Sequence, residues 1–150
     1  MMFRGQFQHS IDKKGRISLP ARFRDRLEGD GNGRVVIAPW PFDECLHLYP
    51  LSAWEEFEGK IAALPRLNKQ INQFRRMYIS RALDIDVDGS GRVRIPADMQ
   101  QYAGLRDEGL WAGMGSHIEL WSKPQLDRAL SMNEQELSEF RDKVEEMIPL

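Results

Sequence analysis

One ten-residue phrase recurs in similar form in this chain. Residues 12–21 read DKKGRISLPA, and residues 88–97, 76 positions further on, read DGSGRVRIPA. Asp12, Gly15, Arg16, Pro20 and Ala21 recur as Asp88, Gly91, Arg92, Pro96 and Ala97, while Val93 and Ile95 answer Ile17 and Leu19. The likeness runs on more weakly: Leu46-His47-Leu48-Tyr49 is similar to Ile118-Glu119-Leu120-Trp121, at an offset of 72. The first half therefore carries about four extra residues, which we place in Gly29-Asp30-Gly31-Asn32-Gly33. Two copies are too few for a solenoid and point to a pseudo-symmetric pair.

Both halves read alike. An extended segment (5–11; 81–87) enters a turn of Asp, polar residues and Gly, and a short strand follows with alternating apolar residues. Pro20 and Pro96 stand where a first helical turn starts, because proline's missing N–H is not needed there. A short helix carries Phe23 and Leu27, or Met99 and Tyr102. Two strands (35–38 with 45–49; 110–113 with 117–121) lead to a helix opened by a capping box, Ser52-x-x-Glu55 or Ser122-x-x-Gln125. Between the halves, Leu67, Ile71, Phe74 and Tyr78 form a helical stripe; near the end, Leu137, Phe140, Val144 and Met147 form another. Both are read as core or subunit contact. The organisation is thus a first repeat (1–65), a connecting helix (66–80), a second repeat (81–131) and an acidic helix (132–150). One half alone buries too little apolar surface; two copies about a two-fold axis would close a small barrel and remove strand edges.

Charge is polarised rather than extreme. The net charge is −2, but residues 1–27 hold seven basic groups against two acids, and residues 59–83 hold six against none. Residues 127–150 hold seven acids against three bases. Cationic elements can therefore face an anion while the tail points elsewhere. No run approaches the ~18 apolar residues of a membrane span. No apolar segment of a secretory leader follows Arg4. The single cysteine, Cys45, makes no internal disulfide, which fits a reducing cytoplasm.

The doubled turn is where chemistry concentrates. Asp12 is suited to accept turn amides, and Gly15 permits positive φ. Lys13, Lys14 and Arg16 crowd a bend where Asp12 cannot neutralise all three. Lysine offers phosphate a point charge; arginine offers a planar fork suited to phosphate or to the O6/N7 edge of guanine. The second copy keeps Asp88, Gly91 and Arg92 without the lysines. A purely structural role is the alternative for both: Asp and Arg four apart would pair and fix the bend.

Met2-Phe3-Arg4-Gly5, residues 12–24, Leu48-Tyr49-Pro50-Leu51 and residues 88–97 together resemble the MraZ family of bacterial transcriptional regulators, within the AbrB/SpoVT-like superfamily. The resemblance runs from Met2 to about Leu130. It implies a mainly β fold with flanking helices (α+β), a double-split, swapped-hairpin β-barrel made by both repeats. It implies a homo-oligomeric ring in the cytoplasm, associated with the nucleoid. It also implies binding of double-stranded DNA at repeated G-rich boxes upstream of its own division and cell-wall operon, usually as a repressor. The DNA-facing positions that match are Lys13, Lys14, Arg16 and Arg92, with Asp12, Gly15, Asp88 and Gly91 shaping the turns. Arg24 matches a basic position of the wider superfamily, although Asp25 departs from a basic pair there.

Other readings carry less. Asp84-x-Asp86-x-Asp88-Gly89 opens like an EF-hand loop, but Ile95 stands where its last ligand belongs. Cys45 and His47 share a strand face as a metal site would begin, yet no second pair has ligand spacing. Gly113-Met114-Gly115-Ser116 reads as a hairpin turn. The four tryptophans read as core or subunit anchors, since none sits among the basic residues. No nucleophile–base pairing or cofactor motif appears, so no enzyme, cofactor or metal is expected. The remaining rival is an antitoxin-like module whose partner is a protein.

Overall fold

The computed structural model of the chain describes residues 2–29 and 32–150. Eight strands and six helices follow in the order β1 (Gln6–Ser10), β2 (Arg16–Ser18), α1 (Ala21–Gly29), β3 (Arg34–Pro39), β4 (Leu46–Pro50), α2 (Leu51–Ala62), α3 (Lys69–Phe74), β5 (Leu83–Asp86), β6 (Arg92–Arg94), α4 (Ala97–Tyr102), β7 (Glu108–Gly113), β8 (Ile118–Trp121), α5 (Lys123–Leu130) and α6 (Glu134–Met147). The fold is α+β, and every strand pair is antiparallel.

The repeat is legible in the topology. Six strands form one sheet, ordered β1-β7-β8-β4-β3-β5, and β2 pairs β6 in a separate ribbon. Exchanging each strand for its counterpart four places on reverses the order and leaves it unchanged. Each half also lends its first strand to the other: β1 lies on β7, and β5 on β3. Two registers locate the pseudo-two-fold axis. Ile17 faces Val93 at the centre of the ribbon, and His47 faces Glu119 at the centre of the sheet. Each pair joins equivalent positions of the two repeats.

Alternation along the central strands buries both sheet faces. Ile37, Leu46, Leu48, Trp111, Ile118 and Leu120 turn to one side and pack with Ile17, Leu19, Val93, Ile95, Phe23, Leu27 and Met99. This main core joins the ribbon, α1 and α4 to the sheet; each fully buried Ile, Leu or Val adds ~1.5–3 kcal/mol. Val36, Ala38 and Tyr49 turn to the other side, against Trp54 of α2 and Tyr78. Cys45, Leu110, Ala112 and Trp121 pack there against Leu126 of α5. The tryptophans anchor these clusters as expected; Trp111 Nε1 also donates to the Ser18 carbonyl at 2.9 Å. The turn between β7 and β8 has Gly115 at φ +83°, as the hairpin reading requires.

Several expectations are corrected. The ladder does not close into a barrel among the described residues: β1 and β5 are open edges of the six-stranded sheet. Those edges carry Gln6, Gln8, Asp84 and Asp86, polar residues that discourage pairing with another chain. Pro96 and Pro50 sit at N-caps, one step before their helices, because fixed φ suits the change from extended to helical chain. Pro20 likewise precedes α1. Consequently Ser52 lies inside α2 and is not its cap, whereas Ser122 does cap α5, accepting from Gln125 N at 3.3 Å. The stripe from Leu67 is not one α-helix. Leu67 is 96% exposed and precedes α3, which Asn68 caps. Residues Arg75–Ile79 then form a π-helical turn, closed by Ser80 N–H on the Arg75 carbonyl at 2.9 Å, that turns Tyr78 onto the sheet. The second stripe is no core: Leu137, Phe140 and Met147 are at least half exposed on α6, which buries no residue. The insertion placed at 29–33 falls partly on Asp30 and Gly31, outside the described residues.

Candidate nucleic-acid interface

The two turns fold identically because aspartate and glycine leave them one shape. Asp12 Oδ1 accepts the amides of Lys14 and Arg16, both at 2.9 Å, and Oδ2 accepts Arg16 Nε at 2.7 Å. Asp88 Oδ1 accepts the amides of Ser90 at 2.9 Å and Arg92 at 3.0 Å, and Oδ2 accepts Arg92 Nε at 3.1 Å. Gly15 and Gly91 take φ of +79° and +75°, a region that strains any residue with a Cβ. The backbone amide of Arg16, backed by its side chain and the Lys14 amide, holds Asp12 below the usual carboxylate range. The amides of Arg92 and Ser90 do the same for Asp88, with the Arg92 charge behind them.

The turns also hold each other. Leu19 N–H donates to the Gly91 carbonyl at 2.9 Å, and Ile95 N–H to the Gly15 carbonyl at 2.8 Å. Behind each glycine lies a long side chain from equivalent helix positions. Gln100 covers Gly15 and donates to the Ile95 carbonyl at 2.8 Å; Arg24 covers Gly91 and donates to the Leu19 carbonyl at 3.2 Å. A Cβ at Gly91 would lie 2.3 Å from Arg24 Nε. Arg24, the superfamily-matched position, thus serves as a buttress, with its Nε buried and unpartnered among the described residues.

Structural pairing and display of charge are not alternatives here. Asp12 engages only the Nε edge of Arg16, whose side chain keeps 32% exposure; no hydrogen bond among the described residues uses its terminal nitrogens. Arg92 is held the same way at 33% exposure. Lys13 and Lys14 are exposed. A shallow cleft of about 270 Å³ between the turns is lined by Lys14, Arg16, Arg92 and Arg94 with Asp86 and Asp88. Asp88 is already committed to Arg92, and Asp86 lies 3.8 Å from Arg34.

Arg94 was missed by sequence reasoning. It faces Arg16 directly across the ribbon, is exposed, and donates from Nε to the Lys14 carbonyl at 2.9 Å. Its counterpart in the first repeat is Ser18, so the repeat gave no signal; only strand pairing does. Like charges directly opposite on a ribbon are unfavourable, and an anion placed between them relieves the repulsion. The arrangement suits a polyanion. The EF-hand reading fails on geometry as well: Asp84 and Asp86 lie on strand β5, not in a loop.

Comparison with known proteins agrees with the resemblance. A family profile described as "MraZ protein, putative antitoxin-like" matches residues 2–77 and again residues 78–148. A Nitrosomonas europaea protein named transcriptional regulator MraZ is 41% identical over 126 residues, 84% of each chain. One of the same name from Burkholderia vietnamiensis is 43% identical over 120 residues, 80% of this chain and 82% of its own. Another, from a Roseiflexus strain, is 38% identical over 146 residues, covering 97% of this chain and 99% of its own.

Proposed function

The chain belongs to the MraZ family, and on that premise we propose that it is a transcriptional regulator that binds double-stranded DNA through the paired turns. The observation that carries this reading is the cationic cleft: Lys14, Arg16, Arg92 and Arg94 line it, and no hydrogen bond among the described residues uses the terminal nitrogens of Arg16. Lys13 and Lys14 meet phosphates and supply salt-dependent affinity. Arg16 meets a guanine edge, a contact that discriminates by ~1–3 kcal/mol. Arg92 adds a second contact from the pseudo-symmetric turn.

One such face is small for tight binding. Assembly of several copies into a ring would engage repeated G-rich boxes together, raising avidity by ~10²–10⁴ where the geometry allows. The exposed stripe of α6 supports a subunit contact, since Leu137, Phe140 and Met147 are at least half exposed among the described residues. The swapped placement of β1 and β5 supports counting the fold among double-split arrangements, although its ladder is open. The outcome would be repression of the chain's own division and cell-wall operon, in the cytoplasm at the nucleoid. No helix among the described residues is long and apolar enough to cross a membrane.

The test is binding to the gene's own upstream region, with the boxes intact, scrambled, or separated by half a helical turn. Preference for intact boxes with correct spacing is expected; equal binding to scrambled DNA overturns the reading. The antitoxin-like description of the family favours one rival, a protein partner. Capture of a stoichiometric protein from nuclease-treated extract, without DNA preference, would decide for it.

A further inference from the structure

We propose that the centre of the six-stranded sheet is a binding site for a zinc-class divalent cation, held by Cys45, His47 and Glu119. Cys45 and His47 lie on one face of the β4 segment, and strand pairing sets Glu119 of β8 opposite His47. Their donor atoms, one each, all lie within 4.8 Å of one another. The sequence supplied the first pair; the third ligand comes from the aligned position of the other repeat, and strand pairing brings it to the site.

The surroundings orient these atoms as a metal site requires. His47 has Nδ1 at 2.8 Å from the Tyr78 hydroxyl, which leaves Nε2 turned to Glu119. Glu119 Oε1 accepts Trp121 Nε1 at 2.9 Å, which leaves Oε2 turned to His47 at 3.1 Å. Metal-bound imidazoles and carboxylates are typically fixed through their other polar atom in this way. The 3.1 Å separation is close to the ~3.3 Å edge of a tetrahedral site with ligand bonds of ~2.0–2.1 Å. Trp40 stacks on the His47 ring at 4.5 Å and limits its rotation. Cys45 is fully buried, and His47 nearly so; Glu119, 12% exposed at its side chain, is the side of entry.

A mixed sulfur, nitrogen and oxygen set suits zinc over magnesium or calcium, which take oxygen. On binding, the Cys45 thiol gives its proton to solvent and sulfur bonds the metal; a water completes four ligands. The ion would tie β4 to β8, hence one repeat to the other, on the pseudo-two-fold axis.

Untagged full-length chain, stripped with chelator, is titrated with cobalt(II) and then zinc(II). One equivalent of cobalt should give the visible absorption of a four-coordinate ion and a near-ultraviolet thiolate band, both erased by zinc. Because Cys45 is the sole cysteine, Cys45→Ser should remove the thiolate band, and Glu119→Gln should weaken binding tenfold or more. X-ray absorption of the zinc-loaded wild type needs no variant: one sulfur at ~2.3 Å with nitrogen and oxygen at ~2.0–2.2 Å is expected. Six-coordinate cobalt only, a zinc shell without sulfur, or a cobalt spectrum unchanged in Cys45→Ser overturns the proposal.

Discussion

His47 and Glu119 occupy the same position in the two repeats and bond to each other, Nε2 to Oε2, at 3.1 Å. An antiparallel pair folded about a two-fold axis brings equivalent residues face to face where the axis crosses it. Here the chain has placed a base in one copy and an acid in the other. Burial alone would raise the Glu119 carboxyl; bonds from His47 and Trp121 outweigh it and leave Glu119 below its usual range.

Removing one member should therefore hurt more than removing both. With metal withheld by chelator, His47→Leu leaves Glu119 largely buried without its partner and should cost about 3 kcal/mol, the scale of a broken buried pair. Adding Glu119→Leu should recover at least half of that loss. Denaturant unfolding of the single and double variants measures both, and additive losses would refute the coupling.

The glycines of the turns should resist substitution. Gly91→Ala places a Cβ at φ +75° and against Arg24, so it should cost more than the ~1–2 kcal/mol of the left-handed backbone alone. Arg24→Ala in the same chain should return part of the loss by clearing the space. Thermal unfolding of the three variants checks the order.

Acid should loosen the turns late. Asp12 and Asp88 are both held below their ordinary 3.8, first by the amides of Arg16 and Arg92. A carboxylate with a depressed folded value contributes fully above its unfolded value, and the contribution fades as pH falls through the folded one. The Gly15 and Gly91 amide resonances should move with a midpoint below 3.8. Asp12→Asn should abolish the transition at Gly15 and leave that at Gly91.

Helix α6 should matter to assembly and not to the stability of the body. It buries no residue, and Leu137, Phe140 and Met147 are exposed on it. Leu137→Glu with Phe140→Glu should leave the melting temperature within a few degrees of the parent and lower the mass seen by light scattering. An unchanged mass would remove α6 from the proposed subunit contact.

What the sequence revealed and withheld follows from what repetition can encode. The doubled phrase predicts two equal turns, and Asp12, Gly15 and Arg16 match Asp88, Gly91 and Arg92 bond for bond. The strands read at 35–38, 45–49, 110–113 and 117–121 fall within two residues of β3, β4, β7 and β8. Arg94 stayed hidden because its counterpart is Ser18; its place opposite Arg16 depends on pairing across 78 positions. The Leu67 stripe misled because apolar spacing cannot distinguish a continuous α-helix from one broken by a π turn. The need to protect strand edges suggests a closed barrel, whereas polar side chains on β1 and β5 meet that need in an open sheet. Glu119 was legible in principle: its alignment with His47, combined with two-fold pairing, puts the two in contact.

Salt should separate the lysines from the arginine. Lys13→Ala with Lys14→Ala should weaken binding to intact and scrambled boxes alike and reduce the slope of log affinity against log salt by about 2.

The most direct measurement is the affinity of Arg16→Ala for intact against scrambled boxes, at several salt concentrations, beside the wild type. The Arg16 side chain is held by Asp12 through Nε alone, so alanine should spare the turn, in which the amides of Lys14 and of residue 16 still donate to Asp12 Oδ1. The account predicts a folded protein with unchanged assembly whose preference for intact boxes drops tenfold or more while scrambled-DNA binding barely changes. Full preference retained by Arg16→Ala would contradict it.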